Sequence, residues 1–235
     1  MKKKNLLMII LSISLLVCFA VFTLLVKLVD VGVAGESGAE VGFSTLNQKF
    51  FNACNYPAMI KISDILGYLA FVVIIIFAGL ELVQLIKGKS IKAVDKSLMI
   101  LSSVYVFTIL VYVLFEVVTI NYRPVLVNGM MEASYPSSHT MLGIVVYLTG
   151  GIQAYFMLKN KCLKGVTLGL GIVLSVLTTI TRLFSGMHWL TDIIGAILIS
   201  AFLVCLYLTL VGLVQAKNNV VKSSANTNTQ ENQEV

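Results

Sequence analysis

Two arginines and two histidines are all that the 235-residue chain contains, and the four fall in two short segments. Arg123 and His139 lie in the first, Arg182 and His188 in the second, and Asp192 follows His188 by one helical turn. A helix starting near His188 brings Asp192 onto the same face, within side-chain reach. A carboxylate that accepts from one imidazole nitrogen fixes the tautomer and leaves the other nitrogen free to attack, the logic of hydrolase triads. His188 therefore reads as a nucleophile and Asp192 as the group that orients it. Arg123 and Arg182 carry planar forks suited to phosphate oxygens. Ser137 and Ser138 precede an apolar run, where the free N–H groups of a helix start also favour an anion. His139, at the same helix start, can give a proton to a leaving oxygen, because imidazole titrates near physiological pH. Nucleophile, acid and cationic cradle are then separate groups.

The elements that must hold these residues are set by composition. With 58% hydrophobic and 12% charged residues, the chain belongs in a bilayer rather than in water. Six apolar runs, at about Leu6–Val29, Ile65–Ile86, Leu98–Ile120, Thr140–Leu158, Val166–Ile180 and Trp189–Val214, are expected to be transmembrane helices. The expected fold is all-α, a six-helix bundle. It divides into a first span (1–29), an extracytoplasmic loop (30–64), a core with five spans (65–216) and a disordered cytoplasmic tail (217–235) rich in Ser, Asn, Thr and Gln. Within this segment, Gly35–Gly38 reads as loop and Phe43–Phe51 as an interfacial stretch. Gly165, Gly169 and Gly171, where the fifth run begins, are expected to let helices approach closely.

Charge orients the bundle. Lys2–Lys4, Lys87–Lys96, Lys159–Lys164 and Lys217–Lys222 fall on alternate loops, which the positive-inside rule assigns to the cytoplasm together with both termini. The segments holding Arg123, His139, Arg182 and His188 then face outward. The net charge of +6 serves topology, because the lysines form no basic face for a nucleic acid. Cys18, Cys54, Cys162 and Cys205 are too dispersed for a disulfide framework or a zinc site, so neither metal nor cofactor is expected.

Arg123-Pro124, then Pro136-Ser137-Ser138-His139, then Arg182-x5-His188-x3-Asp192 resemble, in order and spacing, the three motifs of the type 2 phosphatidic acid phosphatase family: K-x6-R-P, P-S-G-H and S-R-x5-H-x3-D. The resemblance spans about Asp95 to Val214. It implies six helices with an outward-facing site, a phosphohistidine intermediate at His188 oriented by Asp192, His139 as acid, and phosphate binding by Arg123, Ser137 and Arg182. The implied substrate is a membrane lipid phosphate or pyrophosphate. Three positions depart from the motifs: Ser138 replaces the glycine, Thr181 the serine, and Glu116 the phosphate-binding lysine. Glu116 has the wrong sign for a phosphate site and leads to two expectations. One is a cation borrowed from elsewhere, Lys49 or Lys61 of the outer loop. The other is a catalytically impaired family member that binds lipid phosphate or a partner protein. A transporter fits less well, since no inverted repeat of broken helices is visible.

Overall fold

A computed structural model describes residues 3–231. In chain order it contains α1 (Lys3–Leu28), a hairpin of β1 (Gly32–Ala34) and β2 (Ala39–Val41), α2 (Ser44–Ala53), α3 (Ala58–Gly88), a 3-10 turn (Ile91–Ala93), α4 (Lys96–Val117), α5 (Ser138–Met157), α6 (Lys161–Phe184) and α7 (Leu190–Glu231). Six of these helices, α1 and α3 to α7, are long and apolar enough to span a membrane. The all-α, six-span architecture is therefore as expected. A helix satisfies its own backbone, which is what a segment in hydrocarbon requires. The outward faces of α1, α3, α4 and α6 carry exposed Leu, Ile, Val and Phe, a surface for lipid tails rather than water.

α5 is the central helix and packs on α3, α4, α6 and α7, while α1 lies along α7. Close approach explains the tightest of these contacts. A Cβ on Gly171 of α6 would stand 2.5 Å from the Tyr147 carbonyl oxygen, and one on Gly151 of α5 would stand 2.9 Å from that of Thr167. Gly165 and Gly169 face open space, so of the three glycines expected to mediate helix contact only Gly171 does so. Polar groups inside the bundle are paired between helices: Ser12 with Thr209, Tyr105 with Thr149, and Gln153 with both Tyr207 and Ser97.

Two boundaries differ from the sequence reading. α3 begins at Ala58, seven residues before the expected Ile65, because Lys61, Ser63 and Asp64 interrupt the apolar run without interrupting the helix. The segment before it is also packed against the bundle. Asn47 and Phe51 of α2 are buried, with Asn47 bonded to Thr191 and Phe51 packed on Trp189. At the other end α7 runs to Glu231, past Lys217 where disorder is expected; extending an existing helix needs no new nucleus. Side chains from 218 onward, and residues 232–235, lie outside the described residues.

Candidate active site

The start of α7 is fixed by a reciprocal cap. Trp189 precedes the helix, and Asp192 in its first turn reaches back so that Oδ2 accepts from the Trp189 N–H at 2.9 Å. This is the carboxylate half of a capping box, placed at the positive helix end, with the Asp192 N–H returned to the Trp189 carbonyl at 3.1 Å. Oδ1 accepts from Asn121 Nδ2 at 3.2 Å, and the Asp192 carbonyl accepts from the Ser137 N–H at 3.1 Å. Through its carboxylate and its backbone carbonyl, Asp192 thus ties together α7, the loop before α5 and the segment at Asn121.

His188 sits immediately before this cap and is buried. Its Nδ1 lies 3.0 Å from the Ser134 carbonyl oxygen and 3.6 Å from Asp192 Oδ2. The hydrogen bond that spacing assigns to Asp192 goes instead to Ser134. The consequence for the tautomer is the same. A carbonyl only accepts, so Nδ1 carries the proton and Nε2 has the lone pair. Nε2 is buried with no hydrogen-bond partner. Burial, and then the charges of Arg182 and Arg123, hold the imidazole well below its ordinary pKa, opposed only by the Ser134 carbonyl. His188 is therefore neutral near pH 7.

The other residues named from sequence converge on it from three elements. Ser137 stands at the N-cap position of α5 without a side-chain bond to the helix N–H groups, its hydroxyl donating to the Thr140 hydroxyl, and Ser138 and His139 are the first helical residues. The first-turn N–H groups of such a helix have no intrahelical acceptor. Arg182 is in the last turn of α6, its side chain only 2% exposed and its Nε without a partner. Arg123 lies on the loop after α4, where its N–H donates to the Glu132 carbonyl and its Nε stands 3.3 Å from Glu132 Oε2, an ion pair without hydrogen-bond alignment. The structure thus brings together His188, Asp192, His139, Arg123, Arg182, Ser137 and Ser138.

Sequence reading missed Asp64. Its Oδ1 is 3.7 Å from both His139 Nε2 and Arg182 Nη1. The available signal was an isolated carboxylate at the edge of an apolar run, where ionisable residues are costly and usually functional. Ser134 was not findable, since it acts through a carbonyl. Glu116 lines a small cavity with Ser138 and His188, and Arg123 pairs with Glu132 rather than with it. Lys49 and Lys61 are exposed and form no ion pair among the described residues. No group of three His, Cys, Asp or Glu side chains among the described residues could hold a metal ion. Beside His139 an apolar cavity of about 280 Å³ opens between α3, α4 and α5, lined by Gly67, Phe71, Ile109, Tyr112 and Leu142.

The model of the PAP2 superfamily matches residues 67–215. Among solved structures, the fold is similar to that of the first transmembrane PAP2 type phosphatidylglycerolphosphate phosphatase from Bacillus subtilis. The TM-score is 0.58 and the identity 15%, over 88% of this chain and 96% of that one. No curated protein sequence matches the chain.

Proposed function

From the premise that the chain belongs to the PAP2 superfamily, we propose that it hydrolyses a membrane lipid phosphate or pyrophosphate through a phosphohistidine at His188, at the extracytoplasmic face. The observation that carries this reading is the buried, unpartnered Nε2 of a neutral imidazole whose other nitrogen is fixed by Ser134. Arg123, Arg182, the Ser137–Ser138 corner and the α5 N-terminus hold the phosphate oxygens and offset charge as it spreads over them. His188 Nε2 attacks phosphorus while His139 protonates the departing lipid oxygen. His139 then takes a proton from the water that hydrolyses the phosphohistidine. The negative charge of Asp192, 3.6 Å from Nδ1, stabilises the imidazolium-like ring of the intermediate. The apolar cavity beside His139 suits the first carbons of a lipid chain, whose remainder stays in the membrane.

The test is turnover of a panel of lipid phosphates by the purified protein. His188→Ala is expected to abolish both turnover and trapping of phosphate on the protein while leaving membrane insertion intact. Near-wild-type hydrolysis by that variant would overturn the assignment. One observation favours a second reading, a catalytically impaired member that binds lipid phosphate or a partner: the wrong-signed Glu116 shares a cavity with His188. Strong gain of turnover in Glu116→Lys, from a wild type with little activity on every lipid, would select it.

A further inference from the structure

Asp64 belongs to none of the three motifs, yet its carboxylate stands between two residues that do. Oδ1 is 3.7 Å from His139 Nε2 and 3.7 Å from Arg182 Nη1, with the carboxylate 41% exposed toward the outer end of α3. The helix is shaped around the same imidazole. Gly67 is three residues on and so on the same face, and a Cβ there would lie 2.9 Å from His139 Cδ2. α3 thus gives His139 both a recess to lie in and a charge beside it. The other groups facing His139 are Arg182 of α6, Arg123 and His188 of the loops, and Tyr112 of α4, which lines the same cavity. Asp64 is the carboxylate among them in ion-pair contact.

Resting on the phosphatase reading above, we propose that Asp64 is a positioning residue for the acid: it holds the His139 ring and favours the protonated form that transfer to the leaving oxygen requires, and it yields its other contact, Arg182, to phosphate. A carboxylate this close favours imidazolium over imidazole, against burial and the two arginines, which disfavour it. At 3.7 Å it does so without taking the Nε2–H as a hydrogen bond, which leaves that proton free to move on. In the first half-reaction the bond from phosphorus to the lipid oxygen breaks as the bond to His188 Nε2 forms, and the leaving oxygen takes the His139 proton. In the second, water oxygen attacks phosphorus, the P–N electron pair returns to His188, and the water proton reloads His139. Asp64 neither gains nor loses a proton in the cycle. Its removal should therefore injure leaving groups that need protonation and spare those that do not.

The experiment compares wild type, Asp64→Asn and Asp64→Glu, full-length and in detergent, on a diacylglycerol phosphate and on p-nitrophenyl phosphate, whose leaving group departs without a proton. Asp64→Asn is expected to lower kcat on the lipid by at least about tenfold, the low end for loss of an acid, and on the aryl ester by less than about threefold. The basic limb of its pH profile on the lipid should move to lower pH by about one unit. KM should not rise, since Arg182 loses a competitor for phosphate. Asp64→Glu keeps the charge and should retain the limb. Equal loss on both substrates with an unmoved limb, no loss at all, or the same displacement in both variants would overturn the proposal. These outcomes leave the phosphatase reading intact if His188→Ala is inactive, whereas an active His188→Ala removes both.

Discussion

At the scale of single residues, His188 is held neutral by its surroundings, and that has a sign in pH. In the proposed mechanism the neutral form attacks, and its folded pKa lies well below the ordinary value. Phosphorylation of the enzyme should therefore keep its rate as pH falls from about 7.5 to about 6, where a free imidazole would lose much of its lone pair. Rapid-quench measurement of the phosphoenzyme burst checks this, and a decline centred near the ordinary histidine value would contradict it. Stability runs the other way. Below about pH 6.5 the unfolded chain binds a proton at this position that the folded chain refuses, so stability falls as pH drops and is level above that range. Replacing His188 by Gln should flatten that dependence in thermal unfolding. The residues that converge around His188 were legible in the sequence because an apolar chain offers so few polar types: two histidines and two arginines at motif spacing leave little to choose from. Asp64 was not, because nothing in spacing tells that a residue far upstream in sequence turns toward His139. Nor does sequence reveal that a backbone carbonyl at Ser134, rather than Asp192, receives the Nδ1 proton.

At the scale of elements, the start of α7 carries the site, and Asp192 is more important to that start than to the proton on His188. Both its oxygens accept within the buried core, from Trp189 N–H and Asn121 Nδ2. Asp192→Ala leaves both donors unpaired and is expected to cost about 2–4 kcal/mol, more than an exposed cap. Asp192→Asn keeps one acceptor and should cost less than Asp192→Ala, yet it removes the negative charge beside His188. Thermal unfolding in detergent and turnover on a lipid phosphate, measured on both variants, separate the two roles. Equal stability of the two would show that the cap is unimportant. Helices were legible where apolar runs are uninterrupted, as in α4 and α5. They were less so where polar residues interrupt the run: Lys61, Ser63 and Asp64 delay the apparent start of α3, and Asp64 is the one that lies beside His139 and Arg182. The hairpin of β1 and β2 escaped notice because strands of three residues carry no alternation long enough to read.

At the scale of the whole molecule, the six spans put the two ends of the bundle in different surroundings, and the chain carries its own reporters of which is which. The lysines cluster at the end where α3 finishes, α4 begins and α5 meets α6, the end assigned to the cytoplasm. Cys162 is exposed there, in the first turn of α6, while Arg182 lies in the last turn of the same helix. Cys54, half-buried, follows α2 at the opposite end, where the Tyr56 N–H donates to the Phe184 carbonyl just beyond Arg182. Cys18 and Cys205 lie within spans, out of reach of a charged reagent. An impermeant maleimide applied to intact cells is therefore expected to label Cys54 and spare Cys162, with Cys162 reacting once the membrane is opened. Cys54→Ser should remove the external signal. External labelling of Cys162 alone would place the site at the cytoplasmic face. That result would invert the sidedness while leaving the bundle and the arrangement of His188, His139 and Asp64 untouched, because lysine distribution sets orientation and helix packing sets the site.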